Sequence, residues 1–272
     1  MTHRWINPRG GDWSDPDNWS PAAVPGSGSA VVFDLEAGYQ VEVDGFGDTI
    51  VDSLDVDAGE VTLNFTPPGD GSGTGVGLFA SNSRSVGTRG KGAILIVRGG
   101  TLNGNNVLSV GADGTLWLAS NGVVSGAPGG WIGFKTEPGG QVIGNGGSLE
   151  GRRLENHGIL NPGDFNGPGI LGIGLQTLSG LEQAPEGRLH IVIQGPTPGT
   201  GYGVLRGGGG MSPFELAGTL SVELLLEYRP PSGTRFTIIE NAGSRQGTFA
   251  KLELPAGFEV EYNDHDVVLV VR

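Results

Sequence analysis

Gly100-Thr101-Leu102, Gly114-Thr115-Leu116, Gly122-Val123-Val124, Gly140-Gln141-Val142, Gly147-Ser148-Leu149 and Gly158-Ile159-Leu160 share one form: a glycine, one variable residue, then an aliphatic. The form resumes at Gly169-Ile170-Leu171, Gly187-Arg188-Leu189 and Gly218-Thr219-Leu220. Its spacing is irregular, so this is no strict repeat, but it is the pattern a β-helix produces. Each short strand adds one inward aliphatic to a stacked column, and each corner needs glycine or asparagine to take positive φ. Asn103, Asn105, Asn106, Asn121, Asn145, Asn156 and Asn161 crowd the expected corners. There their side chains either stack in ladders or serve ordinary turns.

Working outward, strand signals recur and helical spacing is almost absent. Ala30-Val31-Val32-Phe33, Tyr39-Gln40-Val41-Glu42-Val43 and Val61-Thr62-Leu63-Asn64-Phe65 read as strands bounded by turn formers. Residues 66–75, rich in Gly and Pro, read as a loop. The competing architecture is an antiparallel sandwich, in which Asn103-Gly104, Asn121-Gly122 and Asn145-Gly146 would be hairpin turns. It fits best near the C-terminus, where residues 219–226, 234–239 and 266–271 are longer and more apolar and Pro230-Pro231-Ser232-Gly233 joins the first two. The fold class expected is all-β, a parallel β-helix (solenoid), with a C-terminal β cap or a small sandwich-like part. Three regions follow: a Trp-rich opening or cap segment (1–35), the solenoid body (36–215), and final coils or a cap continuous with it (216–272).

Glycine supplies 53 of 272 residues and proline 17, close to the composition of disordered chains. Runs such as Ile94-Leu95-Ile96-Val97 and Val267-Val268-Leu269-Val270-Val271 argue for a folded chain, because unpaired they would aggregate. With 29 acidic against 16 basic residues the net charge is −13. That balance opposes nucleic-acid binding and attachment to anionic membranes. No cysteine is present, so disulfides, thiolate zinc sites and cysteine catalysis are excluded. No stretch approaches a membrane span of roughly 20 apolar residues. Met1-Thr2-His3-Arg4-Trp5 has no apolar signal-peptide core. Two expectations follow from it: a chain that stays inside until lysis, as a phage component does, or the mature part of an exported chain.

The opening Gly11-Asp12-Trp13-Ser14-Asp15-Pro16-Asp17-Asn18-Trp19-Ser20, with Val24-Pro25 and Ala30-Val31-Val32-Phe33-Asp34, resembles the start of β-helical passenger regions in autotransporter-type adhesins and related bacterial surface proteins. Leu216 to Val222, Gly233 to Ile239, Gly247-Thr248-Phe249 and Leu254-Pro255-Ala256-Gly257 resemble the ends of such regions. Against that pattern, the expectation from these residues is of no signal sequence and no membrane-embedded barrel. The resemblance implies a right-handed β-helix at or beyond a cell surface.

Chemistry-bearing residues are scattered. His3, His157, His190 and His265 lie in no metal-ligand spacing and read as isolated residues. Gly26-Ser27-Gly28-Ser29 and Gly71-Ser72-Gly73 lack the helix that follows a nucleophile elbow, and Gly207-Gly208-Gly209-Gly210 lacks the Lys-Ser/Thr of a phosphate loop. Asp52, Asp55 and Asp57 are candidates for the paired carboxylates of glycoside chemistry, with Asp55 and Asp57 on one face. Arg152-Arg153, the basic pair a lyase would want, has no acidic cluster beside it in sequence. Asp12, Asp15 and Asp17 with Asn18 suit calcium by spacing, but they also suit a turn over which Trp13 and Trp19 close the solenoid, the preferred reading. No catalytic, cofactor-binding or metal-ligating residue is assigned.

The functional expectation is therefore a non-catalytic, extracellular or cell-surface structural or adhesive solenoid, or a filament or surface-layer subunit. Self-association would run through the solenoid ends, by way of the Trp5, Trp13 and Trp19 segment and the apolar strand Val267–Val271. The alternative is a carbohydrate-binding or polysaccharide-cleaving β-helix such as a phage tailspike-like protein. Its sugar platforms would be Trp117 and Trp131, and surface glycans its partners.

Overall fold

The structure is a computed structural model and describes residues 1–44, 48–66, 77–126, 133–151, 153–174, 180–208, 213–240 and 242–272. Among these the chain is all-β, and its one helical element is the 3-10 turn Pro16–Asn18. Three long sheets hold eleven, eleven and ten strands. The chain visits them in rotation: Ala30–Phe33 in the first sheet, Gly38–Asp44 in the second, Asp48–Val51 in the third, then Ser53–Val56 back in the first. Each return lays a strand parallel to the one placed a turn earlier. This cycle continues to Ser244–Gly247 and Lys251–Glu253, and gives a β-helix-like architecture.

The stacking explains the irregular glycine repeat. Leu116, Val142, Leu160, Leu189 and Leu220 form one buried column in the second sheet, in direct register. Leu102, Val124, Leu149 and Leu171 belong to the third sheet and are buried as well. From Gly100 to Gly187 the repeat therefore marks strand starts in the third and second sheets by turns, and Gly218 marks one more in the second.

The expected positive φ is found at Gly218 (65°) and at Gly99, Gly139 and Gly146, each just before a repeat glycine, while other glycines of the repeat answer a different need. At Gly140, Gly158 and Gly187 the backbone is not left-handed, but a Cβ would stand 2.6 Å from Gly111 O, 2.1 Å from Gly140 O and 2.3 Å from Asn156 O respectively. Stacked corners approach so closely that no side chain fits. We expect Gly158→Ala to lower stability by about 1–3 kcal/mol, the usual cost of overpacking, in a denaturant titration.

The sandwich turns are not formed. Asn103-Gly104 ends the strand Thr101–Gly104, while Asn121-Gly122 and Asn145-Gly146 turn corners from the second sheet into the third. Asn121, with φ 63°, is the sole asparagine of the expected corners that adopts the left-handed conformation among the described residues. Thr219–Leu224 and Arg235–Glu240 form as expected but lie in different sheets and do not pair. Antiparallel pairing joins Arg235–Glu240 instead to Val267–Val271, and that strand to Phe258–Tyr262. Of the predicted 66–75 loop, residues 67–75 lie outside the described residues.

Both ends are built from the chain itself. At the N-terminal end Trp19–Ser20 pairs antiparallel to Thr2–Trp5, and Trp5, Trp13, Trp19, Phe33 and Tyr39 pack into one buried aromatic cluster. Trp19 meets Trp5 and Trp13 edge-on, with ring centroids 4.9 and 4.8 Å apart. At the other end the turn after Phe258–Tyr262 folds back: Arg245 N donates to Asp264 O at 2.7 Å, and the Arg245 guanidinium sits 5.3 Å over the Tyr262 ring.

Candidate functional site

The four histidines stay apart. His3 is buried inside the first turn. His157 Nδ1 lies 2.6 Å from Glu186, whose carboxyl it helps hold below the usual range. His265 Nδ1 lies 3.1 Å from Ala242 O. His190 is outward on the second sheet, where burial lowers its pKa against the opposing pull of Glu223 at 3.5 Å. The unfolded chain thus takes up this proton at a higher pH than the folded one. That contribution to stability is full above about pH 6.5 and is lost as pH falls through the lower folded value. Acid unfolding of His190→Gln, compared with the parent, should show a shallower loss in that window.

The carboxylate candidates are engaged individually. Asp52 accepts from Asn82, and Asp55 accepts from Ser85 Oγ at 2.5 Å. Asp57 is buried, which raises its pKa, and its Oδ2 lies 3.2 Å from Arg89. Asp15 Oδ1 accepts from Asp17 N at 2.9 Å as the cap of the 3-10 turn. Asn18 Nδ2 donates to Asp12 O at 2.9 Å, and its Oδ1 accepts from Asn7 Nδ2 at 2.8 Å. The Asp12–Asn18 segment is thus knitted into the turn beneath Trp13 and Trp19. Among the described residues no three His, Asp or Glu side chains converge in a way that would hold a metal ion.

Ser29 Oγ accepts from Gly26 N at 3.1 Å, a local turn contact. Gly71-Ser72-Gly73, Gly209, Gly210, Arg152 and Trp131 lie outside the described residues. Arg153 pairs with Glu155 two residues along its own strand at 3.3 Å, and stacking adds Glu182 from the next turn. Among the described residues no helix is long and apolar enough to cross a membrane.

Trp117 lies on the outer face of the second sheet. Its neighbours Leu116 and Leu118 point inward and are fully buried, so the alternation turns the indole outward. Phe165, at the tip of the excursion between Ile159–Asp164 and Gly167–Pro168, meets it edge-on at 5.4 Å.

Two polar features inside the stack of turns escaped the sequence reading. Arg84 occupies the inward column Leu54–Arg84–Leu108 of the first sheet and is fully buried. In the next inward column Thr136, Asn156 and Gln183 stack in register, and Asn156 Nδ2 donates to Gln183 Oε1 at 2.8 Å. The signal for Arg84 was available: it is two residues from Val86 in a strand, hence on the same face. No protein-family model matches the chain, and no curated protein matches its sequence.

Proposed function

We propose that this chain is a right-handed β-solenoid that serves as a non-catalytic structural or adhesive module at or beyond a cell surface. Right-handedness follows from the strong chirality preference of crossovers between parallel strands. The observation that carries the functional reading is that the chain's own residues cover one sheet edge at each end and bury the aromatic residues of the opening segment. Trp5, Trp13 and Trp19, which would have docked a second copy, are buried in the aromatic cluster, and Val267–Val271 is paired on both sides. An antiparallel strand finishes the first sheet at the N-terminal end and the third sheet at the other, and there breaks the parallel register that another copy would need to continue the stack. Long parallel sheets closed in this way suit a stiff spacer or display module better than a filament subunit.

Sedimentation velocity at low and high concentration, with electron microscopy of the same samples, tests this. The expected particle is a monomer: a short rod on the order of 50 Å long, ten turns at the strand spacing of about 4.8 Å. Ordered fibres that lengthen with concentration would overturn self-termination and restore the filament reading.

A further inference from the structure

Arg98 stands on the same outer face as Trp117. It is in register with Ala119, two residues beyond the tryptophan, which places the two diagonally, with Cα atoms about 8 Å apart by strand spacing and rise. Arg153, Arg188, Arg206 and Arg235, also on strands, each pair with a glutamate. Arg98 has no hydrogen-bond or ion-pair partner among the described residues, and its Nε is buried. Phe165, 63% exposed, completes an aromatic corner against Trp117. Its loop is braced: Asp164 accepts from Asn166 N at 2.7 Å and from Asn145 Nδ2 at 3.2 Å, so that carboxylate is tied by two donors. Trp117 Nε1 and Asn161 Oδ1, which share one stacked column through Ile143, are buried without hydrogen-bond partners.

We infer that this face binds an acidic saccharide, with the sugar ring seated in the corner between Trp117 and Phe165, one ring against its face and the other against its edge, and Arg98 pairing with its carboxylate. The two rings offer apolar faces set at right angles, which suit the C–H face and the edge of a sugar ring. A guanidinium left unpaired in a chain of net charge −13 is complementary to a carboxylate, which it binds through two parallel hydrogen bonds. A neutral sugar would offer Arg98 hydroxyl acceptors but no charge to pair with, and so a weaker interaction. An acidic peptide would satisfy Arg98 but has no ring face to lay against Trp117. The inference goes beyond the scaffold reading and does not depend on how the solenoid ends are closed.

Calorimetric titration of the whole chain with a panel of uronate and sialic-acid oligosaccharides, and with neutral oligosaccharides of matched length, tests it. At least one acidic member should bind more tightly than its neutral match. Arg98→Gln should weaken that binding about tenfold or more and abolish the preference for acid, as loss of a charge-assisted pair does. Phe165→Ala, at an exposed loop tip where folding is not at stake, should weaken acidic and neutral sugars alike. The inference is overturned if no acidic member binds at millimolar concentration, or if acidic and neutral sugars bind equally. Affinity unchanged in both variants, or binding of polyglutamate with no saccharide bound, also overturns it. Sedimentation of the same samples reports on the scaffold reading separately, so failure of one is distinguishable from failure of the other.

Discussion

Arg84→Ala should destabilise the fold by about 4 kcal/mol or more, the largest effect expected from a single change outside the end caps. The guanidinium donates from Nη1 to Leu102 O and Ser125 O, each at 3.1 Å, and from Nη2 to Asn106 O at 2.8 Å. It therefore ties together the strands Thr101–Gly104 and Val123–Gly126 and the bend that follows the first of them. Burial lowers its pKa to about 10, so holding the charge inside costs roughly 3 kcal/mol. Three hydrogen bonds from a charged donor, at about 1.5–3 kcal/mol each, exceed that cost. Alanine removes the donors and leaves a cavity among Leu54, Leu108 and their neighbours. Arg84→Met keeps most of the volume and relieves the charge penalty, so its loss should be smaller, about 2 kcal/mol, from carbonyls left without donors. Denaturant unfolding of both variants checks the ordering. If methionine matched or exceeded the parent, the hydrogen bonds would not be what holds arginine in this column.

Trp19→Ala should cost about 3–5 kcal/mol and, unlike Arg84→Ala, should also make the protein associate. Trp19 is buried between Trp5 and Trp13, and its Nε1 donates to Trp13 O at 2.9 Å. Removing the indole opens the centre of the aromatic cluster and loosens the short antiparallel strand Trp19–Ser20. The parallel edge of Thr2–Trp5 would then be free to pair with another chain. Sedimentation should show oligomers growing with concentration for Trp19→Ala and a monomer for the parent. Trp19→Phe, which retains a ring, should remain monomeric with a smaller loss of stability. Loss of stability with no association would mean that the cluster supports the fold without guarding its edge.

Much of the fold was legible because side-chain alternation and glycine placement are local. Tyr39-Gln40-Val41-Glu42-Val43 alternates cleanly, and Tyr39, Val41 and Val43 are the buried positions. The aliphatic of every Gly-x-aliphatic unit is buried for the same reason. The candidate binding face was half legible. Trp117 was singled out, but Arg98 and Phe165 were not, since 19 and 48 positions separate them from Trp117 in the chain and only stacking brings them near.

By itself the sequence determined the strand class, the inward columns and the turn-rich corners, because period-two burial and the glycine requirement act within a few residues. Tertiary structure decided which strands are neighbours. A strand in this chain pairs with one a whole turn away, so the partner of Arg153, the polar stack of Thr136, Asn156 and Gln183, and the antiparallel closure by Val267–Val271 depend on how many residues each turn consumes. Loop lengths vary from turn to turn, and no local pattern fixes that count. The same physics separates Trp19 from Trp117. Both are aromatic residues in β segments, and the first is buried at the end of the stack while the second faces outward, because alternation sets the face and the register sets what lies beside it.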